Sequence, residues 1–442
     1  MKEIQSLRSL RLVVLPFLFL VVVMLFLQCT DDKGEVKPFY DPSLPVEITS
    51  FSPDSGGVST QMLIYGSNFG TDTSLIKVFV NGKRAPFIGS TGTELYVMIP
   101  SRADTGYVSV QVGLDDQLKQ VTSEKEFNYI YKPSVSTLCG FTDKDGKTAI
   151  VDGPIEEAQF EEPYWLAFDQ DKNIYLLEEG RGLRMIDKDL TTVTTKFRTG
   201  RGLDRPRTIS FNPTFDQMYV ANDQGSWEGI ATAVLTPETN FMEWTAIVFS
   251  KQCNGGAANP ITGDYFYNSY EQGYVYKWHP ETSTSEQLFR IDDVRWEFNI
   301  QFAPSGDFAY IVVINQHYIL KANFNWETGL LEAPTHFVGD RGSSGYVDGV
   351  GTNAKFREPH QGAFDENDNF YLCDRMNHCI RKITPEGIVS TFAGRGENYG
   401  YTDGVLSDAQ FDRPHGIIYD KDDGTFYIAD QKNRCIRVIR TE

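Results

Sequence analysis

The chain has 442 residues, of which 13% are aromatic and 23% are charged, and its formal net charge is −19. This length is enough for two or more hydrophobic cores, and the residue mix is typical of sheet-rich globular protein rather than of a disordered chain. An acidic chain repels phosphate backbones, so we expect no nucleic-acid partner.

The N-terminus has the pattern of a targeting segment. Basic residues precede an apolar stretch from Leu12 to Leu27, and Cys29 follows after Gln28. A removable signal peptide is the first interpretation, and a single membrane-spanning anchor is the alternative. A signal that ends at a cysteine resembles those of bacterial lipoproteins, although Gln28 replaces the usual small residue. The resemblance implies that residues 1–29 are a lipoprotein signal peptide and that Cys29 becomes the acylated N-terminus.

Two acidic residues, Asp31 and Asp32, follow this cysteine directly. They resemble the export signal of surface-displayed lipoproteins in glycan-foraging Gram-negative bacteria. The resemblance implies a protein of the outer membrane that faces the extracellular side and contacts the membrane through its lipid anchor alone. Residues 30–45 are polar and contain prolines, so they are interpreted as a tether.

Residues 46–131 alternate apolar and polar side chains between glycine-rich turns. Asn81-Gly82 lies between two apolar runs, which indicates a type I′ hairpin. About seven short strands in this segment predict an immunoglobulin-like sandwich. The motifs resemble the IPT/TIG domain in order, and the resemblance implies a spacer. A direct ligand-binding module is the alternative.

The remaining segment, residues 133–442, repeats itself. Three stretches share the pattern D-G-x4-A-x-F-x2-P, and they begin at Asp152, Asp348 and Asp403. Fixed-period self-similarity in short strands is typical of a propeller or a solenoid. With three weaker copies the series has six blades, which start near residues 158, 203, 254, 296, 354 and 409. Their spacing of about fifty residues fits four strands a blade.

The last two blades carry the most specific pattern, P-x-G-I…D…Y-I-A-D-x-x-N-x-x-I-R in the last one. This pattern resembles the NHL repeat. The sequence therefore predicts an all-β protein in which an Ig-like β-sandwich (IPT/TIG) is followed by a six-bladed, NHL-like β-propeller.

The way the ring closes can also be predicted. The run 135–139 stands before the first D-G as the run 389–393 stands before the third, and the chain stops one strand short. We therefore expect 135–139 to complete the last blade, which leaves no exposed edge at the seam. In that register Cys139 lies opposite Cys435, so a disulfide is one interpretation and two buried thiols are the other.

Side chains at the start of the innermost strands are candidates for a binding site at one mouth of the channel. They are Tyr164, Trp165, Arg207, Trp296, Asn299, His360, Gln361 and His415. Sugars bind to such mixed surfaces, because their C–H faces stack on rings while polar groups hydrogen-bond to their hydroxyls. The alternative is that these aromatic side chains only pack between blades.

A second candidate set lies at the ends of the second strands: Glu178, Asn222, Asn268, Asn315, Asp374 and Asp430. Oxygen-rich side chains around one axis could hold a hard cation such as calcium, as in lactonase-type propellers. The alternative is that Asp374 and Asp430 organise their own turns through Asn377 and Asn433. We expect no cofactor, with calcium as the alternative.

No motif of a nucleophile elbow, a zinc protease, a Walker loop or a dinucleotide site occurs. The IPT/TIG and NHL arrangement resembles accessory lipoproteins of polysaccharide-utilisation systems, which capture glycan for a neighbouring outer-membrane transporter complex. The resemblance implies a cell-surface lipoprotein that binds carbohydrate without catalysis. Two alternatives stay open. One is a propeller enzyme, either a metal-dependent lactonase or a polysaccharide lyase with His360 or His415 as base and Arg207 on a uronate. The other is a protein-interaction scaffold.

Overall fold

The computed structural model describes residues 39–141, 147–291 and 297–441. They divide after Ile130 into two compact units, each considered by itself below. The predicted signal peptide, Cys29 and the first part of the tether lie outside the described residues. Within the described ranges, no helix has both the length and the apolar character needed to cross a membrane.

The first unit is a sandwich of two sheets. In sheet order, the first consists of Glu47–Ser52, Gln61–Gly70, Gly92–Met98 and Phe87–Ser90. The second consists of Ser55–Gly56, Lys119–Tyr129, Gly106–Val112, Ile76–Val80 and Lys83–Arg84. Buried side chains from both sheets, such as Ile64 and Val110, share one core, which is the packing expected of an Ig-like fold. One-turn 3-10 helices connect strands at Thr73–Leu75 and Asp115–Gln117.

The predicted Asn81-Gly82 hairpin is confirmed. Both residues have positive φ, 47° and 77°, and Val80 pairs with Lys83 across the turn. A type I′ turn requires positive φ at both central positions, which Asn and Gly adopt most readily.

The second unit is a six-bladed propeller, as predicted. We number its blades in chain order and their strands from the channel outward. The innermost strands are Pro163–Phe168, Pro206–Phe211, Gly256–Ala258, Phe298–Phe302, Pro359–Phe364 and Pro414–Asp420. The second strands are Ile174–Glu178, Met218–Asn222, Tyr265–Ser269, Phe308–Val313, Phe370–Asp374 and Thr425–Asp430. The third strands are Gly182–Ile186, Ile230–Leu235, Tyr274–His279, Tyr318–Asn325, Cys379–Ile383 and Cys435–Thr441. The fourth strands are Thr192–Arg198, Trp244–Phe249, Thr284–Arg290, Thr335–Val338, Ile388–Ala393 and Pro133–Cys139.

Four two-residue strands extend the outer parts of blades 1, 4, 5 and 6: Gly153–Pro154, Leu330–Leu331, Gly349–Val350 and Gly404–Val405. Further 3-10 turns are Pro237–Thr239, Ile314–Gln316, Gly351–Asn353 and Arg375–Asn377. Three of the short strands are the D-G segments of the repeat, and each pairs with the fourth strand of its own blade. They protect the outer edge of that blade from pairing with another chain.

The repeated residues form one buried network in each of blades 1, 5 and 6. In blade 5, Arg381 is fully buried and lies between two carboxylates, 2.9 Å from Asp374 and 2.6 Å from Asp348. Its guanidinium lies over the ring of Phe356, which is the repeated phenylalanine. Asp348 also accepts hydrogen bonds from the backbone and hydroxyl of Thr391 in the fourth strand. The D-G and Phe positions therefore recur because they enclose a buried arginine.

The predicted ring closure is confirmed. Pro133–Cys139 pairs antiparallel with Cys435–Thr441 and so supplies the fourth strand of blade 6. The six innermost strands neighbour one another in a closed cycle, and blade 6 lies against blade 1. Hydrophobic clusters fill the spaces between blades, as in the cluster that contains Val135, Phe411 and Ile439.

No disulfide joins Cys139 and Cys435, which agrees with the interpretation of two buried thiols. Cys139 and Cys435 are both free and buried, and Cys139 pairs with Ile436 instead. The reason is a bulge between Thr137 and Cys139, which inserts Leu138 as an extra residue and shifts the register by one position. The equivalent bulge in blade 5 places Ala393 opposite Ile380 rather than Cys379.

Candidate functional site

The predicted side chains at the start of the innermost strands converge in part. Tyr164, Arg207, His360 and His415 each follow the proline that begins an inner strand, in blades 1, 2, 5 and 6. All four are at least nine-tenths buried. Since the inner strands surround one channel, equivalent positions on them meet at one mouth.

Three rings form the floor of this mouth. The ring of His415 lies between the other two, with centroids 3.6 Å from Tyr164 and 3.6 Å from His360. Nδ1 of His415 is 3.2 Å from the backbone oxygen of Tyr164. Burial, and next the charge of Arg375, hold the pKa of His360 well below its ordinary value. Burial and the neighbouring His360 do the same for the pKa of His415, so both imidazoles are neutral at neutral pH.

Arg207 makes hydrogen bonds to three side chains at the mouth. Its guanidinium donates to the hydroxyl of Tyr164 at 3.1 Å, to Glu179 at 2.6 Å and to Asp223 at 3.3 Å. Asp223 also accepts a hydrogen bond of 3.0 Å from the hydroxyl of Tyr270 in blade 3. Burial raises the pKa of Tyr164 to about 12, so its phenol stays protonated as a donor.

The walls come from residues that the sequence did not single out. Glu179, Asp223, Arg375 and Gln431 each follow directly the last residue of a second strand. Gln431 donates to Glu179 at 3.5 Å, which connects blade 6 to blade 1. The sequence marks these four residues only by position, since each comes directly after a strand-end residue of the predicted cation ring. Successive side chains on a strand point to opposite sides, so these four point away from the cation-ring residues.

Glu297 in blade 4 completes the wall. Burial is the main cause that raises the pKa of its carboxyl, and the charges of Arg207 and Asp223 also act on it. We call the whole arrangement the polar cup, which consists of Tyr164, Arg207, His360 and His415 in the floor and Glu179, Asp223, Tyr270, Glu297, Arg375 and Gln431 in the walls.

Three other predicted site residues have different surroundings. The indole of Trp165 packs between blades 1 and 2 and donates to the backbone oxygen of Ile209 at 3.1 Å. Gln361 reaches across the channel to Leu166. Its side-chain amide accepts a hydrogen bond from the backbone N–H of Leu166 and donates one to the backbone oxygen of the same residue. Asn299 accepts a hydrogen bond from Gln301 at 2.7 Å. Trp296 lies outside the described residues.

The predicted cation ring does not fit a metal. Glu178, Asp374 and Asp430 are buried in ion pairs with Arg184, Arg381 and Arg437, each within its own blade. Asp374 and Asp430 also accept hydrogen bonds from the side chains of Asn377 and Asn433, which favours the turn-organising alternative. Among the residues that the structure describes, no group of three or more His, Cys, Asp or Glu side chains could hold a metal ion.

The amide residues of that ring are also engaged. Asn222 accepts from the backbone of Arg205 and donates to that of Ile230. Asn268 accepts from the backbone of Gly255 and donates to the side chain of Asn254. Asn315 is exposed in a 3-10 turn.

A cavity of about 420 Å³ occupies the other end of the channel and is lined by all six inner strands. Small side chains such as Ala167, Ser210 and Ala363 leave this space open. Its polar groups include Gln301 and Gln361, whose amides cross-link inner strands of neighbouring blades. The polar cup and this cavity therefore differ in chemistry, since the cup alone concentrates charged side chains.

The polar cup offers many hydrogen-bonding groups. Carboxylates of Glu179, Asp223 and Glu297 are acceptors, whereas Arg207 and Arg375 are donors. Because both histidines are neutral, they add rings to the floor without adding charge. Such a surface is suited to a ligand rich in hydroxyl groups.

Comparisons with known proteins agree with both units. Residues 45–129 match the model of the IPT/TIG domain. A segment of 100 residues, 22% of this chain, is 33% identical to human "NHL repeat-containing protein 2", and it spans 14% of that relative. The chain thus corresponds to a small part of this curated relative.

Two solved structures match nearly the whole chain. One is an auxiliary nutrient binding protein from Bacteroides thetaiotaomicron, which is 39% identical, with 92% of this chain and 100% of that chain covered and a TM-score of 0.73. The other, an auxiliary nutrient binding protein from Bacteroides ovatus, is 32% identical over 92% of this chain and 100% of that chain, with a TM-score of 0.68. This chain therefore belongs to the family of two-domain proteins, with an IPT/TIG domain followed by an NHL-like propeller, that includes these Bacteroides proteins.

Proposed function

We propose that this protein is a cell-surface lipoprotein that captures carbohydrate in the polar cup without catalysis. The observation that carries the proposal is the convergence of Tyr164, Arg207, His360 and His415 from four blades into one aromatic and polar mouth. The ring edges in the floor can contact the C–H groups of a sugar, while the walls accept hydrogen bonds from its hydroxyls and donate hydrogen bonds to them.

The names of the two Bacteroides relatives support a nutrient-binding role for proteins of this family. The acylated cysteine predicted at position 29 would hold this protein at the outer membrane, with its propeller on the extracellular side. In that location the cup would collect glycan fragments for a neighbouring transporter. The proposal requires no cofactor.

The contacts of Arg207 argue against the polysaccharide lyase alternative. Its guanidinium already bonds Glu179 and Asp223, so a uronate carboxylate would have to displace one of them. Displacing a partner from a buried charge pair costs free energy, because it leaves a charge desolvated. A ligand that hydrogen-bonds to the existing pairs avoids that cost.

A panel of oligosaccharides tests the proposal. The purified protein is titrated by calorimetry with cellohexaose, maltohexaose, mannohexaose, xylohexaose and the hexamer of galacturonic acid. Each sample is then analysed for products by chromatography, with and without chelator. We expect at least one neutral hexasaccharide to bind and to remain intact.

A matched pair of variants locates the site. Glu179→Ala removes an acceptor from the cup and should weaken binding by about tenfold or more. Glu243→Ala breaks a Glu–Arg pair with Arg201, in which both side chains are more than half exposed, and should leave binding unchanged. Equal effects of the two variants, or chelator-sensitive products, would overturn the proposal. Absence of binding to every hexasaccharide would favour the scaffold alternative.

A further inference from the structure

Trp227 is an exposed aromatic residue on a loop that leaves the polar cup at Asp223. It lies between the second and third strands of blade 2, and 49% of its surface is exposed. Most tryptophan side chains in soluble proteins are largely buried, so an exposed indole on a loop from the cup is a candidate contact for a ligand.

The loop that carries Trp227 is held in place by Gln224. The side-chain amide of Gln224 donates to the backbone oxygen of Ser226 at 2.6 Å and accepts from its backbone N–H at 2.6 Å. The same amide also donates to the backbone of Ser250 in the fourth strand's exit loop. Gly229 permits this arrangement, because a Cβ atom there would lie 2.2 Å from the Gln224 side chain. The indole is therefore presented on an ordered loop.

The loop also begins in the cup. Asp223, four residues before Trp227, accepts hydrogen bonds from Arg207 and Tyr270. Backbone hydrogen bonds continue from Gln224 to Gln252 and from there to Tyr270, so the tops of blades 2 and 3 are linked. Four residues span at most roughly 14 Å, which is a distance of two or three sugar units.

We propose that Trp227 is a stacking platform for one sugar unit of an oligosaccharide whose neighbouring unit occupies the polar cup. This inference rests on the proposed function and narrows its ligand to chains of two or more units. The apolar face of the outer sugar covers the indole, while the inner sugar hydrogen-bonds to the cup. Trp227 is a specificity-determining residue for chain length in this arrangement.

The test compares hexasaccharides with monosaccharides. The probes are the neutral hexasaccharides named above and the corresponding monosaccharides, titrated into the wild type and into Trp227→Ala and Trp227→Phe. We expect Trp227→Ala to weaken hexasaccharide binding roughly tenfold and to change monosaccharide binding less than about twofold, because a single sugar unit occupies the cup alone. Trp227→Phe keeps a ring and should retain most of the affinity. Tryptophan emission should shift on hexasaccharide binding in the wild type but not in Trp227→Phe.

Trp326 provides the matched control. It is exposed to a similar extent, 52%, and lies in blade 4 at the end of the third strand that points away from the cup. Trp326→Ala should leave both affinities unchanged. If Glu179→Ala loses hexasaccharide binding but Trp227→Ala does not, the platform is wrong and the proposed function stands. If no neutral hexasaccharide binds the wild type, both fall.

Discussion

Single residues explain why the repeat has its particular letters. In blades 1, 5 and 6 the repeated Asp, the strand-end acid and the repeated Phe all contact one buried arginine, as Arg437 shows with Asp403, Asp430 and Phe411. A buried guanidinium is tolerated only when carboxylates and backbone oxygens satisfy it. The same oxygen atoms that suggested a cation site are thus already used by a protein cation.

The two neighbouring buried histidines, His360 and His415, predict a dependence of stability on pH. Unfolded imidazoles titrate near 6.5, whereas the pKa values of His360 and His415 in the folded protein are well below that value. Below pH 6.5 the unfolded chain therefore binds protons that the folded chain does not. The free energy of unfolding should fall as the pH is lowered, by up to ~1.4 kcal/mol per pH unit for each histidine.

Urea denaturation at several pH values between 7.5 and 5 measures this slope. His415→Gln removes one titrating ring and should make the slope shallower. His279→Gln is the control, since His279 is partly exposed and pairs with Glu286 outside the cup. The same slope in the wild type and in His415→Gln would show that the buried rings do not remain neutral on folding.

At the scale of the strand, the pairing of Pro133–Cys139 with Cys435–Thr441 closes the ring, so it should determine whether the propeller unfolds as one cooperative unit. The closing strand comes from the beginning of the domain, and its Val135 is fully buried against side chains from the last blades. Val135→Ala should lower the free energy of unfolding by about 2 kcal/mol, because it leaves a small cavity between blades.

The measurement is the midpoint of the propeller's unfolding transition in urea, followed by tryptophan fluorescence, since all six tryptophans come after residue 131. Ile388→Ala, at a half-exposed position of the equivalent strand in blade 5, should change stability by less than about 0.5 kcal/mol. A transition that splits in two, or is unchanged in Val135→Ala, would mean that the closing strand is not part of the cooperative fold.

The same strands show which features of the fold could be predicted from the sequence. The blade number and the closing strand were predictable, because the D-G…Phe…Pro spacing repeats and the run 135–139 matches 389–393. The pairing of Cys139 was not, since the bulge at Leu138 depends on local backbone geometry and moves the register by one residue.

The site was predictable only in its floor. Tyr164, Arg207, His360 and His415 follow the strand-initial proline in their blades, which the repeat makes visible. The wall residues Glu179 and Asp223 directly follow the second strands of blades 1 and 2, and no residue type repeats at this position to mark them. Their roles depend on which side chains from other blades meet them across the channel.

At the scale of the whole molecule, charge distinguishes ligands. The chain carries a net charge of −19, and the cup contains Glu179, Asp223 and Glu297 around Arg207. An acidic oligosaccharide is repelled at long range and must also compete with carboxylates for the arginine. A neutral oligosaccharide is not repelled by the net charge and does not compete with carboxylates for Arg207.

We therefore expect the hexamer of galacturonic acid to bind at least about tenfold more weakly than the best neutral hexasaccharide at low salt. The difference should shrink as sodium chloride is added, because salt screens exposed charges beyond about 10 Å at 0.1 M. Glu179→Gln removes one negative charge from the cup and should narrow the difference in affinity between the two hexamers. Glu243→Gln, on the exposed surface, should not change that difference.

Tighter binding of the galacturonic acid hexamer would mean that Arg207 exchanges a protein carboxylate for that of the ligand. That result would favour the lyase alternative, because holding a uronate beside the neutral rings of His360 and His415 is the arrangement which proton abstraction needs.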